Sequence, residues 1–254
     1  MNHISRKAQS AILLEMLDVP YAGSDPLARL MAGNKAYAKK IISEHLNTPL
    51  GVTIYNYSSI PSRLTFPVVI KPNREGSSIG ITQESLCRSM QEVQRYSPDI
   101  LDRFQEVLIE EYIEGYEITC FIIGNKGNYY LTEPVMCEYD GVKYFDDFVF
   151  GTEEKSSGNR KEYIAQQFLS RTEVNLIRQA AQTAFETLCM RDFARVDFRL
   201  QKNGSLFFIE INGNAVVSES SEIGVISKGL EIPFGKLVGN IILSATDRHL
   251  IIRD

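Results

Sequence analysis

Apolar residues change their spacing repeatedly along this chain, and each change predicts a different element. From Ser5 to Leu17, the recurrence of Ala11, Leu14 and Leu17 predicts an amphipathic helix. In "YAGSDP", Ser24 or Asp25 can cap a second helix whose first position is Pro26. That helix runs through "PLARLMAGNKAYAKKIISEHL" and is expected to break at Gly33-Asn34. Phe66 to Lys71 reads as a strand, followed by a short strand near Ile79 to Thr82, a helix over Glu84 to Tyr96 and a strand over Val107 to Glu111. Glu117 to Ile123 and Tyr129 to Val135 flank "NKGN" as a hairpin. Cys137 to Arg171 has weak periodicity and many charges, and reads as a long loop. Thr172 then caps a helix reaching about Cys189. Strands over Phe193 to Gln201 and Ser205 to Ile211 follow, and a last helix ends near Ala245. The class is α+β with mainly antiparallel hairpins, and a boundary at Glu110 to Gly115 would separate two lobes.

Composition narrows the picture without giving a function. With 254 residues, 44% of them hydrophobic, the chain can form one sizeable core or two modest lobes. A net charge of -5 offers no global basic field to nucleic acid. Cys87, Cys120, Cys137 and Cys189 lie far apart, and with three histidines they argue against zinc and for reduced thiols of a cytoplasmic protein. No signal peptide or run long enough to span a membrane is visible, so no membrane partner is expected.

Candidate chemistry concentrates in two stretches. In "DFARVDFRLQKNGSLFFIEING", a two-residue turn at Asn203-Gly204 sets a register that puts Asp197 opposite Glu210 and Arg195 opposite Asn212. Alternation places these four and Arg199 on one face, with Val196, Phe198, Ile209 and Ile211 on the other. Facing carboxylates repel. Either a hard divalent cation lies between them, or Arg195 and Arg199 neutralise them on a solvated face. In "VVIKPNREGSSIGI", Gly76 and Gly80 free the backbone, Ser77 and Ser78 add hydroxyls, and Lys71 ends the strand with a charge. The stretch reads as a flap over polyphosphate or as an ordinary turn with a convenient lysine.

Taken together, "FPVVIKPNREGSSIGI", "VLIEEYIEGYEITCFIIG" and "ARVDFRLQKNGSLFFIEIN" resemble the ATP-grasp ligases, and among them the D-alanine–D-alanine ligase family. Upstream, "LLEMLDVPYAGSDPLARLMAGNKAYAKKII" resembles that family's entry into its central domain, so the likeness runs in order from about Leu14 to Ser221. The resemblance implies an ATP-grasp fold in which two lobes with antiparallel sheets clasp a nucleotide. It implies a remnant of an N-terminal domain over 1–25, a central lobe over 26–113 and a C-terminal lobe over 114–254. It assigns phosphate contacts to Lys35, Lys71, Ser77 and Ser78, adenine to Glu110, Glu111, Tyr112 and Ile113, and ribose to Glu117. Asp197, Glu210 and Asn212 match the family's Mg²⁺ (or Mn²⁺) ligands, Arg195 its oxyanion-stabilising arginine, and Ser221 falls near its acceptor carboxylate site; Arg195, Ser77 and Ser221 are the catalytic candidates.

The implied activity is ATP-dependent joining of a carboxylate to an amine through an acyl phosphate. The substrates are small amino acids or peptides.

The chain also departs from the family. It opens at what resembles the last helix of the family's first domain, and a self-associating patch, hence a homodimer, is expected where that domain would dock. In "KYFDDFVF", Val149 and Phe150 stand where the family carries a loop lysine and tyrosine, and Lys143 or Lys155 would have to substitute. "NGNAVVSESSEIG" lacks the family's Pro-Gly and puts Glu222 after Ser221, which argues for an acceptor other than D-alanine. Three readings therefore stay open: a ligase with a non-standard amino-acid substrate, a shortened D-alanine–D-alanine ligase, and a non-catalytic nucleotide-binding module.

Overall fold

Strands dense in β-branched and aromatic residues pair into two antiparallel sheets, and the cleft between those sheets holds the candidate chemistry. A computed structural model describes residues 4–251. The smaller sheet has the order β1-β4-β2-β3, built from β1 (Gly51–Ile54), β2 (Val68–Pro72), β3 (Leu86–Cys87) and β4 (Val107–Glu111). The larger sheet has the order β10-β9-β5-β6-β8, from β5 (Gly115–Asn125), β6 (Asn128–Tyr139), β8 (Arg160–Ile164), β9 (Phe193–Leu200) and β10 (Leu206–Asn212). A short β7 (Tyr144–Phe145) pairs with the start of β5. This is the expected α+β class.

Helices cover one face of the small sheet and parts of both faces of the large one. α4 (Met90–Phe104) covers the small sheet with Val93, Ile100 and Leu101. α6 (Arg171–Thr187) covers the large sheet with Ile177, Ala181 and Phe185. α2 (Pro26–Gly33) and α3 (Lys35–Ile42) also join the large core through Ala28, Ala38 and Ile42. α7 (Glu222–Gly229) and α8 (Phe234–Ile251) close the opposite face around Phe121, Ile223, Leu237 and Ile241.

Several local expectations need correction. α1 spans Gln9–Met16 after a 3₁₀ turn at Ile4–Lys7, and of the expected stripe only Ala11 is buried, while Leu17 is exposed. Ile79 to Thr82 is no strand: Ser77 and Ser78 take φ of 53° and 58° and Gly80 takes 77°, which curls the chain into a tight turn. A side chain at Gly80 would also meet the Phe104 ring at 2.6 Å. The helix expected from Glu84 begins only at Met90, where Ser89 Oγ accepts the Glu92 amide, and it runs past Pro98 because its buried stripe continues to Leu101. Ser170, not Thr172, caps α6, in a reciprocal box with Glu173. The segment from Cys137 to Arg171 is not one loop, since it holds β7, β8 and the short helix α5 (Thr152–Ser156). The last helix is two, separated at Leu230 to Pro233.

The β9–β10 hairpin reaches the expected acid pairing by another route. Its tip is a three-residue loop, Lys202-Asn203-Gly204, closed by Gln201 and Ser205, with Gly204 at φ 85°. That extra residue shifts Phe208 opposite Phe198, and a bulge at Ile209 restores Glu210 opposite Asp197 and Asn212 opposite Arg195. Consequently Phe208, not Ile209, enters the core and meets Phe198 edge-on at 6.2 Å, while Ile209 joins Glu210 on the cleft side. Phe208→Ala, which empties this fully buried position, is expected to cost about 3–5 kcal/mol in urea denaturation.

Candidate active site

One buried side chain fixes where the lysines stand. Asn73, at the end of β2, accepts the Ala36 amide at 2.9 Å and donates to Glu106 at 2.6 Å and to Asn34 at 2.9 Å. Its carbonyl takes the Lys35 amide at 3.1 Å. Asn34 caps α3 by accepting the Tyr37 amide at 3.0 Å. The start of α3 is thus pinned to β2, and Lys35 and Lys71 both line the cleft.

Each lysine meets a carboxylate. Lys71 Nζ lies 2.6 Å from Glu110 Oε1, and Lys39, one turn beyond Lys35, bonds Oε2 of the same side chain. Lys35 Nζ sits 3.1 Å from Glu210 Oε2 and donates to the Glu75 carbonyl. Glu110, Lys39 and Lys71 are all buried. Burial pushes the Lys39 ammonium down to about 7, with Glu110 pulling the other way. Lys71 is equally buried, yet Glu110 holds it above the ordinary lysine range. Against its own burial, Glu110 is held below the ordinary carboxylate range by Lys39 and Lys71.

The acids of the large sheet face this group. Arg195 forks onto Asp197 with contacts of 3.0 and 2.8 Å, and its other arm reaches Glu222 Oε1 at 3.1 Å. Thr119 donates to Asp197 at 3.2 Å. Burial pushes Asp197 up to about 6; Arg195 opposes the rise and the facing Glu210 adds to it. Against a burial cost, Lys35, Lys155 and Arg195 hold Glu210 well below the usual carboxylate range. Asn212 Oδ1 accepts the Asn214 amide at 2.9 Å. Carboxylate and amide oxygens are the hard donors that suit Mg²⁺ or Mn²⁺; Asp197 and Glu210 line the cleft and Asn212 does not. Among the described residues no group of three or more His, Cys, Asp or Glu is arranged for a metal.

The cleft encloses about 820 Å³, part of it open to solvent, between an apolar slot of Val69, Ile81, Ile113, Val149, Phe150 and Ile209 and the charged side chains of Lys35, Lys71, Glu110, Lys155, Asp197 and Glu210. Glu117, beside the slot, pairs with Arg199 at 2.7 Å. The Glu111 and Tyr112 amides are already bonded to Leu50 and Pro67 carbonyls. Ser78 lines the cleft, whereas Ser77 is exposed and does not. Ser221 also lies apart from the cleft lining, its hydroxyl donated to the carbonyls of Val216 and Ser218.

A lid segment joins the sheets over this space. Thr152 donates to the Ser78 carbonyl at 3.1 Å and Gln83 donates to the Val149 carbonyl at 2.6 Å. Val149 packs with Val69, Leu86 and Tyr112. Lys155, on α5, lines the cleft, whereas Lys143 is turned to Glu138 at 2.5 Å and lies over the Phe168 ring.

A family profile described as "D-ala D-ala ligase C-terminus" matches residues 53–243. A D-alanine–D-alanine ligase of Aquifex aeolicus is 33% identical over 235 residues, spanning 91% of this chain and 75% of that protein. The chain belongs to the D-alanine–D-alanine ligase family. A Thermotoga maritima protein of the same name is 30% identical over 233 residues, spanning 92% of this chain and 73% of its own length. Among solved structures, a Bacillus anthracis D-alanine–D-alanine ligase complexed with ATP superposes with a TM-score of 0.77 at 22% identity, over 95% of this chain and 75% of that one. A D-Ala:D-Ser ligase of Enterococcus faecalis gives 0.77 at 23%, over 94% and 69%. At that identity these two speak for the shared ATP-grasp fold. The family makes the chain an ATP-dependent, ADP-forming ligase. No helix among the described residues is long and apolar enough to cross a membrane.

Sequence reasoning missed Lys39, although its i+4 spacing from Lys35 on one helix face was the available signal. A lysine whose folded value lies near 7, below its ordinary 10.5, sheds a proton that the unfolded chain keeps. The ligase should therefore gain stability as pH rises from about 7 towards 10, by at most about 1.4 kcal/mol per unit. Lys39→Met should flatten that slope in denaturation curves taken across the same range.

Proposed function

We propose that the ligase uses ATP and Mg²⁺ to join a small carboxylic acid to an amine, forming a peptide or amide bond through an acyl phosphate. The observation that carries this reading is the single cleft in which Lys35, Lys71 and Lys155 face the Asp197–Glu210 pair beside an apolar slot. When bound, ATP supplies the phosphoryl group that activates the acid, and Mg²⁺ neutralises its charge. Asp197, Glu210 and Asn212 would hold the metal, and the three lysines and Ser78 the polyphosphate. The apolar slot takes the base, with the backbone at Ile113 reading its edge because the neighbouring amides are spent. Glu117, steadied by Arg199, holds the ribose. Arg195, fixed by its fork onto Asp197, presents a cation to oxygen charge developing on the acid. The lid excludes water from the activated acid. Lobes meeting near Glu110 to Gly115 give the cleft its two walls.

The amine is read as one other than D-alanine, on the ground that Glu222 places a carboxylate against Arg195 beside Ser221. The relatives' names favour D-alanine itself. ADP release measured with ATP and Mg²⁺ over a panel of amino acids and amines separates the two: release with D-alanine alone sinks the non-standard reading, and no release with any pair sinks the ligase reading. Glu210→Gln should weaken Mg²⁺-dependent nucleotide binding by at least about tenfold in calorimetry while leaving the circular-dichroism spectrum intact. Unchanged affinity in that variant removes Glu210 from the metal site.

A further inference from the structure

Lys39 does not line the cleft, yet it is buried and bonded to a group that does. Its partner Glu110 has two oxygens and two ammonium neighbours, Lys39 on Oε2 and Lys71 on Oε1 at 2.6 Å. A carboxylate with a single counter-ion in a buried site pins it, because separation leaves both charges unpaired. A second counter-ion divides that attraction. Lys39 donates to Oε2 whether or not its amine is charged, and below about pH 7, where it keeps its proton, the trio carries one net positive charge that faces the cleft through Lys71. We propose that Lys39 is a positioning residue, whose hold on Glu110 leaves the Lys71 ammonium available to an anionic ligand in the cleft. The same bond turns the Glu110 side chain into the trio, so Glu110 serves the lysines rather than the nucleotide base.

The side chains act from three elements: Lys39 from α3, Lys71 from β2 and Glu110 from β4. None of them is among the metal ligands proposed above. The inference rests on the nucleotide reading of the cleft, and its test separates the two. ADP affinity is measured by calorimetry, without turnover, for the wild type, Lys39→Met, Glu110→Gln and the double variant. Lys39→Met alone should lose about tenfold in affinity, since Glu110 then keeps Lys71 to itself. In the Glu110→Gln background the same change should cost less than about twofold, because the carboxylate through which Lys39 acts is gone. A role in packing alone predicts equal losses in both backgrounds, and that result overturns the proposal, as does unchanged affinity in Lys39→Met. Should Lys39→Met fail to fold, the comparison of Glu110→Gln with the double variant still decides: a large further loss in the double variant sinks the idea. Absence of ADP binding by the wild type would instead overturn the nucleotide reading itself, and this inference with it.

Discussion

Two carboxylates held directly opposite each other on neighbouring strands are the constraint around which the rest is arranged. Asp197 and Glu210 cannot both stay charged in a partly buried cleft unless cations stand close by. The cations come from different parts of the chain: Arg195 from the same strand as Asp197, and Lys35 from a helix on the far side of the hairpin. Bringing Lys35 there requires the Asn73 junction, and that junction in turn requires β2 to end beside α3. A local electrostatic problem in one hairpin thereby fixes the relation between an early helix, the small sheet and the large sheet.

The lid answers a second constraint. A cleft rich in charge would fill with water if it were left open, and water weakens each pairwise attraction inside it. The segment from Phe145 to Lys155 closes one side with Phe145, Phe148 and Phe150, whose rings pack at centroid distances of 5.0 to 5.6 Å. Its backbone carbonyls at Phe145, Phe148 and Val149 accept from Tyr112 and Gln83, and its Thr152 hydroxyl donates to the Ser78 carbonyl. The same segment brings Lys155 to the cleft from a short helix that follows the aromatic residues. Charge and apolar cover thus arrive on one piece of chain.

The parts legible in the sequence were those in which a short-range signal and the tertiary demand agree. Asp25 and Asn34 cap their helices because both the local hydrogen bond and the packing favour a break there. The β5–β6 hairpin at "NKGN" formed where alternation and turn chemistry coincide. Signals that needed the third dimension were misread. Leu17 has the spacing of a core residue and ends exposed, because no element among the described residues covers it. Pro98 resembles a helix terminator, but a buried stripe on both sides of it outweighs one missing hydrogen bond. Of the candidate site, the cleft-lining lysines and acids were visible by type and order, whereas the Lys39–Glu110–Lys71 trio and the choice of Lys155 over Lys143 depended on which side chains meet.

The bulge at Ile209 separates the geometry of the acids from the length of the hairpin tip. A shorter tip with no bulge, or a longer tip with one, delivers the same facing pair. Insertions and deletions at Lys202 to Gly204 can therefore accumulate over evolutionary time without disturbing the facing pair, provided the irregularity moves in step. An alignment of relatives that is anchored on the turn will misassign which of Phe208 and Ile209 points inward, whereas one anchored on Glu210 will not.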